Sequence, residues 1–456
     1  MNQSSPSDLV FTVKRRQPEL VAPAKPTPRE FKLLSDIDDQ DGFRLQIPLV
    51  HFYPSHPSMV GKDPAHVIKT ALAHALVFYY PFAGRLREGH ARKLMVDCSA
   101  QGVLFVEADA DVTLSQFGHL QPPFPCFQQL LYKVPSSEGM IDCPLLHIQV
   151  TRLKCGGFIF ALQMNHTMCD GPGVVQFLKA LAKIARGASE PSIQPVWLRK
   201  LLNARDPPRV TCTHYEYQQV AVPPHDDIEE TQDMVQRSFF FGPTQIAAIR
   251  QSLPHHLRDG CTKFELLTAF LWRCRTIALQ LEPIDAVRLM CVINARGKKT
   301  LGGLEIPEGY YGNAIVFPAV VTTAGKLIGE NNSIGYALEI VKRIKSEMSE
   351  EYVQSVADLM VIRGRPCFTK ARSWIVSNLE HVGFRDVDFG WGKAVFAGIA
   401  KAGAGGFPGV SFYVSCENAE GEEGIVICIC LPSKAMERFV KEMDGMLEKP
   451  FMHSSL

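Results

Sequence analysis

Residues Gly156 to Phe177 read GGFIFALQMNHTMCDGPGVVQF, and this stretch decides how the rest of the chain is interpreted. Its first part, through Met164, is almost continuously apolar, which is typical of a strand buried on both faces. A small, polar, glycine-containing loop follows from Thr167 to Gly173. Apolar residues at helical spacing then predict a helix over Val174 to Ala185. His166 therefore lies where a buried strand ends, a place where a rigid element can hold a side chain at the edge of a cavity.

The residue types around His166 suit acid–base chemistry. Histidine is the natural general base near neutral pH, and Asp170 follows four positions later, where its carboxylate can orient the imidazole or order the loop. A pair of metal ligands could use the same spacing, but no nearby cluster supplies the further ligands of a metal site, so we expect no metal. Cys169 lies in the loop, yet nothing marks it as an activated nucleophile.

The H-x-x-x-D spacing alone is a weak signal, because His255 and Asp259 repeat it. That second copy lies in a charged segment between Pro254 and Gly260, which predicts a solvated helix end. The strand, loop and helix around His166 distinguish the first copy from a histidine that merely fills a core.

The composition indicates the class of protein. The chain has 456 residues, 46% hydrophobic and 21% charged, which is typical of a soluble globular protein with two domains. The net charge of +1 gives no case for nucleic acid or an anionic membrane, and no apolar run could span a bilayer. The N-terminus lacks the apolar segment of a secretory signal, and thirteen scattered cysteines favour reduced thiols. We therefore expect a cytoplasmic monomer without nucleic-acid or membrane partners.

The alternation of strand and helix patterns predicts a mixed α/β fold in two domains. Residues 191–233 contain prolines and acidic residues and few apolar ones, which is typical of a linker. We therefore predict a first domain over residues 1–190, a crossover linker over 191–233 and a second domain over 234–456. The main predicted strands are Leu9–Val13, Gln46–Tyr53, Leu145–Arg152 with Gly156–Met164 as a hairpin, Val235–Phe241 and Ile315–Val321. The main predicted helices are Pro64–Tyr80, Cys261–Leu279, Ile334–Met348 and Ala435–Leu447.

A second signature, DFGWG at Asp388 to Gly392, predicts a tight loop with special backbone angles and a packed Trp391. Together with the His166 loop it is specific, and the chain resembles the plant BAHD acyltransferases, which transfer acyl groups from acyl-coenzyme A. The resemblance covers essentially the whole length and includes YPFAGRL at 80–86 and YGN at 311–313. The segments KPTP at 25–28, LSDIDDQ at 34–40, ARDPP at 204–208 and SVADL at 355–359 resemble the benzyl alcohol O-benzoyltransferase and alcohol acyltransferase branch.

The resemblance implies two similar chloramphenicol-acetyltransferase-like domains with a tunnel at their interface. Coenzyme A would enter from one face and the alcohol from the other, with His166 midway as the general base. Asp170 would be mainly structural and paired with Arg296. The DFGWG loop, with Gly390, is usually structural too, although Asp388 is sometimes placed beside the histidine as catalytic.

Departures from the branch concern the substrate side of the site. Asn378 stands where relatives more often have aspartate, and Arg385 where glycine is common, and these differences weaken any transfer of the acceptor's identity from relatives. Lys263, after Thr262, stands where relatives carry a small hydroxyl residue. Whether this lysine binds a coenzyme A phosphate or is merely exposed stays open.

The resemblance implies an O-acyltransferase that uses benzoyl-CoA or cinnamoyl-CoA as co-substrate and holds no permanent cofactor. The acceptor would be benzyl alcohol or a bulkier secondary alcohol such as a tropane alkaloid; the alternative is a short-chain aliphatic alcohol acetyltransferase that makes volatile esters. Ser377 or the Trp391 indole N–H would stabilise the developing oxyanion. A serine hydrolase would need a G-x-S-x-G elbow, which the sequence lacks, and a non-catalytic acyl-binding protein would not need the base.

Overall fold

A computed structural model describes residues 9–124, 127–132, 140–218, 233–297, 304–329 and 334–448. The strands within these ranges are β1 (Val13–Arg15), β2 (Glu19–Val21), β3 (Phe31–Leu33), β4 (Gln46–Tyr53), β5 (Arg85–Glu88), β6 (Leu94–Asp97), β7 (Val103–Ala110), β8 (Leu146–Arg152), β9 (Phe158–Asn165), β10 (Met234–Phe241), β11 (Ala286–Cys291), β12 (Ile293–Asn294), β13 (Ile315–Val316), β14 (Ala319–Thr323), β15 (Ser373–Asn378), β16 (Phe396–Ile399), β17 (Val410–Glu417) and β18 (Glu423–Pro432). The helices are α1 (Pro64–Phe78), α2 (Phe127–Leu130), α3 (Gly171–Ala185), α4 (Pro243–Gln251), α5 (His255–Arg258), α6 (Lys263–Leu279), α7 (Ala324–Ile328), α8 (Ile334–Ser346), α9 (Glu350–Ile362) and α10 (Ser433–Glu448).

The first large sheet is built around β9. Its strand order is β1-β7-β8-β9-β4-β16, with β2 also paired to β7. β9 pairs antiparallel with both β8 and β4, so both of its edges are satisfied by hydrogen bonds. One face packs under α1 and α3 in an apolar core, and the other face contributes Ile159 to a second core. The apolar run of this strand follows from burial on both faces, and the predicted β8–β9 hairpin is confirmed.

The second large sheet has the order β10-β18-β17-β15-β11-β14. Helices α4, α6, α8 and α10 contribute to an apolar core that covers one face of it. The other face meets the first sheet, because Val414 and Val426 share a core with Phe52 and Phe396. The mixed α/β class is confirmed, and no described helix is long and apolar enough to cross a membrane.

Several element predictions need correction. The first strand is Val13–Arg15 rather than Leu9–Val13, and the predicted strand Ile315–Val321 is divided into β13 and β14 at Pro318, which has no N–H to donate to a ladder. Sequence periodicity also missed α9 and β16. β16 comes from the second half of the chain and pairs with β4 in the first sheet. The proposed linker is only partly visible, since residues 219–232 lie outside the described ranges.

Candidate active site

The loop after β9 is fixed by short-range polar contacts. The Asn165 side-chain oxygen accepts hydrogen bonds from the Thr167 backbone N–H at 3.1 Å and the Thr167 hydroxyl at 2.7 Å. The His166 backbone N–H donates to the Leu45 carbonyl at 2.9 Å, and the His166 carbonyl accepts from Asn313 Nδ2 at 2.8 Å. The backbone of His166 is therefore held by two segments distant in sequence.

Asp170 is buried, and its carboxylate is bound by groups other than the His166 imidazole. It caps α3, because its Oδ1 accepts from the Gly173 N–H at 3.0 Å, and its Oδ2 accepts from the Ala314 N–H at 2.9 Å. Arg296 Nη1 lies 2.6 Å from Asp170 Oδ2, so the pairing expected from the resemblance is present. The Asp170 carboxylate thus joins the His166 loop to the segment 310–314. Arg296 binds the same segment, because its Nη2 donates to the Gly312 carbonyl at 2.5 Å.

The imidazole of His166 stacks on Phe43, with ring centroids 4.5 Å apart and an interplanar angle of 20°. Its Nδ1 is buried without a hydrogen-bond partner among the described residues. The ring as a whole is partly exposed because it lines a cavity. Nε2 is therefore the ring nitrogen that can meet a substrate.

Surrounding protein lowers the pKa of His166 through burial, which disfavours the charged imidazolium. Its own carbonyl, the Asp170 carboxylate, the Asn313 side chain and the Asp38 carboxylate raise the pKa and oppose this effect only in part. A lowered pKa keeps the imidazole neutral at pH 7, which is the form that accepts a proton.

The cavity beside His166 has a volume of about 470 Å³ and is lined from both halves of the chain. Its apolar walls include Phe43, Met164, Phe317, Phe368 and Phe412. Its polar lining residues are His166, Asn294, Ser377, Asn378 and His381. No Asp, Glu, Lys or Arg side chain belongs to this lining within the part of the chain that the structure describes.

Ser377, expected as an oxyanion contact, lies at the end of β15 and lines the cavity together with His166. The neighbouring Asn378 points its Oδ1 at the Glu380 N–H, 3.0 Å away. A second pocket of about 300 Å³ shares Leu379, His381 and Phe384 with the first and includes Arg385 in its lining. The two pockets are therefore adjacent, and Arg385 lines only the second, which we call the outer pocket.

The DFGWG loop does not reach the cavity. Asp388 Oδ1 accepts from the Gly390 and Gly392 N–H groups at 2.7 and 2.8 Å, and both glycines have positive φ, at 111° and 82°. Trp391 packs edge-on against Phe158 at 5.2 Å and is buried. The predicted tight loop with a packed tryptophan is confirmed, but neither Asp388 nor Trp391 is brought to the ring of His166.

Lys263 and Thr262 also lie outside the cavity lining. Thr262 caps α6, with its hydroxyl accepting from the Glu265 N–H at 3.2 Å. The Lys263 side chain is 54% exposed, and its Nζ lies 3.5 Å from Glu380, a residue of the outer pocket. Lys263 is therefore an exposed cation paired with Glu380 rather than a residue of the inner site.

Cys169 is excluded as a nucleophile by its surroundings. Its thiol is buried, and burial raises its pKa well above the ordinary value. The second H-x-x-x-D copy falls on α5, which has no buried residue and no contact with the cavity, as its charged context predicted.

The residues that hold His166 from a distance were not among those predicted from the sequence. Phe43 carried no signal at all, since it is one apolar residue in a polar segment. Asn313 and Asp38 lie within YGN and LSDIDDQ, which the resemblance had marked without assigning any role. Asp38 accepts hydrogen bonds from Asn313 Nδ2 at 2.9 Å and from Arg199 Nη1 at 2.6 Å. It therefore orients the Asn313 side-chain amide, which donates to the His166 carbonyl.

Comparisons with known proteins agree with this geometry. The sequence model described as Transferase family matches residues 11–446. The chain is 61% identical to a benzyl alcohol O-benzoyltransferase of Nicotiana tabacum, over 98% of this chain and 96% of the relative. It is 56% identical to a 13-hydroxylupanine O-tigloyltransferase of Lupinus albus, over 96% of each chain.

Solved structures share the fold at low sequence identity. Vinorine synthase matches with a TM-score of 0.72 at 20% identity, covering 95% of this chain and 98% of that one. TRI101 of F. sporotrichioides, solved with coenzyme A and T-2, matches with a TM-score of 0.67 at 16% identity, over 90% of this chain and 97% of that one. The predicted two-domain acyltransferase fold is confirmed.

Proposed function

This chain belongs to the BAHD acyltransferase family, and on that premise we propose that it moves an acyl group from coenzyme A to an alcohol hydroxyl with His166 as the general base. One observation carries the proposal. A neutral imidazole, held by its backbone at the end of a buried strand, presents one nitrogen to a cavity large enough for two small reactants. Acyl-CoA is then a co-substrate, and the enzyme needs no resident cofactor.

The proposed reaction is direct transfer. The alcohol gives its proton to His166 Nε2 as its oxygen attacks the thioester carbonyl carbon. The carbonyl oxygen becomes negative, and the Ser377 hydroxyl is the donor at the cavity wall that supports this charge. The intermediate then breaks its C–S bond, and the imidazolium returns the proton to the departing thiolate. The products are the ester and free coenzyme A.

We assign supporting roles to the remaining predicted residues. Asp170 and Arg296 brace the His166 loop, and Asp388 with Gly390 shapes a loop that packs behind the first sheet, so Asp388 acts through structure. The Trp391 indole is not the oxyanion donor, because Phe158 and the core enclose it. Lys263, whose exposed side chain pairs with Glu380 of the outer pocket, is the proposed contact for a coenzyme A phosphate.

The proposed donor is benzoyl-CoA or cinnamoyl-CoA. Relatives from tobacco and petunia at 61% and 60% identity are benzyl alcohol O-benzoyltransferases, and phenylalanine rings form much of the cavity wall. The proposed acceptor is an uncharged alcohol, either benzyl alcohol or a bulkier secondary alcohol of the alkaloid type. The absence of charged side chains from the described lining disfavours acceptors that carry a carboxylate.

We further propose that the chain works as a cytoplasmic monomer without nucleic-acid or membrane partners, in two domains of residues 1–190 and 234–456 joined by 191–233. The net charge of +1 offers little attraction to nucleic acid or an anionic membrane, and thirteen scattered cysteines support a reducing compartment.

A thiol-release assay with benzoyl-CoA, cinnamoyl-CoA and acetyl-CoA against a panel of alcohols tests this function. The proposal expects release that requires an alcohol and is fastest with an aromatic acyl group, with the ester identified by mass. Fastest release with acetyl-CoA and short aliphatic alcohols would replace the aromatic donor with the volatile-ester alternative. Release without any alcohol would indicate a thioesterase and contradict the proposal.

A further inference from the structure

Phe43 is the one aromatic side chain among the described residues in ring contact with His166. The two rings stack at 4.5 Å and 20°, so the phenyl face covers one face of the imidazole. Phe43 is also part of the cavity wall, although it is only 2% exposed. The side chain therefore touches the proposed base directly and leaves it little freedom to tilt.

The segment that carries Phe43 is rigidly held. The Phe43 N–H donates to the Gln40 carbonyl at 2.9 Å, and Leu45, two residues on, accepts from the His166 N–H. Asp39 is buried and pairs with Arg44 at 2.9 Å and with Arg365 at 3.1 Å. The LSDIDDQ segment thus places its aromatic neighbour against His166 through buried charge pairs.

Phe43 is the first of a row of four phenylalanine rings in successive contact. Phe317 lies 5.4 Å from Phe43, Phe368 lies 6.1 Å from Phe317, and Phe407 lies 5.9 Å from Phe368. Gly42 lets this row close up, because a Cβ on it would lie 2.6 Å from the Phe368 ring. Only the first ring of the row contacts the imidazole, which separates its role from that of the others.

We propose that Phe43 is a positioning residue for acyl transfer, whose ring fixes the plane of the His166 imidazole so that Nε2 points at the bound alcohol. This inference rests on the proposed function. Nδ1 makes no regular hydrogen bond with any described residue, so the stacking contact with Phe43 is the main restraint seen here on rotation of the ring about its side-chain bonds. Stacking on Phe43 then orients the imidazole, a role that a hydrogen-bonded carboxylate has for other catalytic histidines.

Five enzymes test the role, assayed with benzoyl-CoA and the best alcohol of the panel. Phe43→Leu and Phe43→Met remove the planar ring but keep an apolar side chain. If one of the two variants fails to fold, the kinetic constants of the other still test the role. Phe43→Tyr keeps the face. Phe317→Leu truncates the next ring of the row, and Phe117→Leu truncates a buried ring in another core.

The proposal expects Phe43→Leu and Phe43→Met to lower kcat by roughly ten- to a hundredfold, the scale of a small misplacement of a reacting group. The KM for benzoyl-CoA should stay within twofold of wild type, and Phe43→Tyr should recover most of kcat. Phe317→Leu should mainly raise the KM for the alcohol. Phe117→Leu should change neither kcat nor KM.

Three results would overturn the inference. They are a kcat within twofold of wild type in both Phe43→Leu and Phe43→Met, an equal kcat loss in Phe317→Leu, and no recovery in Phe43→Tyr. Wild-type enzyme that transfers no acyl group from any donor would instead remove the proposed function, so the two failures are distinguishable.

Discussion

At the scale of single residues, the site depends on what surrounds His166 more than on the histidine itself. The backbone N–H and carbonyl of His166 are both hydrogen-bonded, and its Nδ1 is buried. Burial also lowers the pKa of the imidazole. His255 has the same neighbour at the fourth position but is exposed on a short helix and faces no cavity. The same short motif therefore gives a base in one place and a surface residue in the other.

The lowered pKa of His166 predicts the pH dependence of the reaction. Because the neutral imidazole persists below pH 6.5, kcat/KM for the alcohol should stay level from pH 8 through 6.5 and fall only at lower pH. The measurement uses saturating acyl-CoA, with activity rechecked at pH 7.5 after each acid exposure. An acid midpoint above 6.5 would contradict the assigned environment of the base.

At the scale of elements, the β9–loop–α3 unit follows directly from local sequence. Its apolar run, glycines, proline and capping Asp170 lie within 30 residues, so their pattern predicts strand, loop and helix in the right order. Phe43, Asn313 and β16 reach the same site from distant segments. Such contacts depend on tertiary packing, and no local periodicity records them, so they could not be predicted from the sequence.

Asp170 should act mainly on stability. Asp170→Ala removes the α3 cap, the acceptor of the Ala314 N–H and the buried partner of Arg296. Breaking such a buried pair costs about 3–5 kcal/mol, so we expect a loss of that size in the unfolding free energy from urea titration. Asp259→Ala, in the exposed copy of the motif, is the matched control. Its unfolding free energy should stay within about 0.5 kcal/mol of wild type, as is usual for surface substitutions. An unchanged midpoint in Asp170→Ala would refute the bracing role.

At the scale of the whole molecule, the two large sheets share an apolar core and line the cavity together. This tight packing also buries histidines that have no catalytic assignment. Burial lowers the pKa of His51 to about 3 and that of His147 to about 4. Both rings are neutral in the folded protein, and both gain protons readily once the chain unfolds.

Acid should therefore destabilise the fold through these two residues. Below pH 6.5 the unfolded chain binds protons that the folded chain does not, so the unfolding free energy falls as pH drops, by up to about 1.4 kcal/mol per pH unit for each histidine. His147→Leu should flatten the fall between pH 6.5 and 4, whereas His90→Ala, at an exposed site, should leave it unchanged. Equal slopes in wild type and His147→Leu, measured by urea unfolding, would disprove this assignment.

The most direct test of the account compares His166→Ala with His255→Ala, the matched histidine of the second H-x-x-x-D copy. Both are assayed for ester formation from benzoyl-CoA and the best alcohol, with thermal unfolding measured alongside. Loss of a general base costs about a hundred- to ten-thousandfold in rate, so His166→Ala should lose that much kcat and stay folded, while His255→Ala keeps wild-type kcat. Full activity in folded His166→Ala, or an equal loss in both variants, would contradict the central claim that His166 takes the proton of the alcohol.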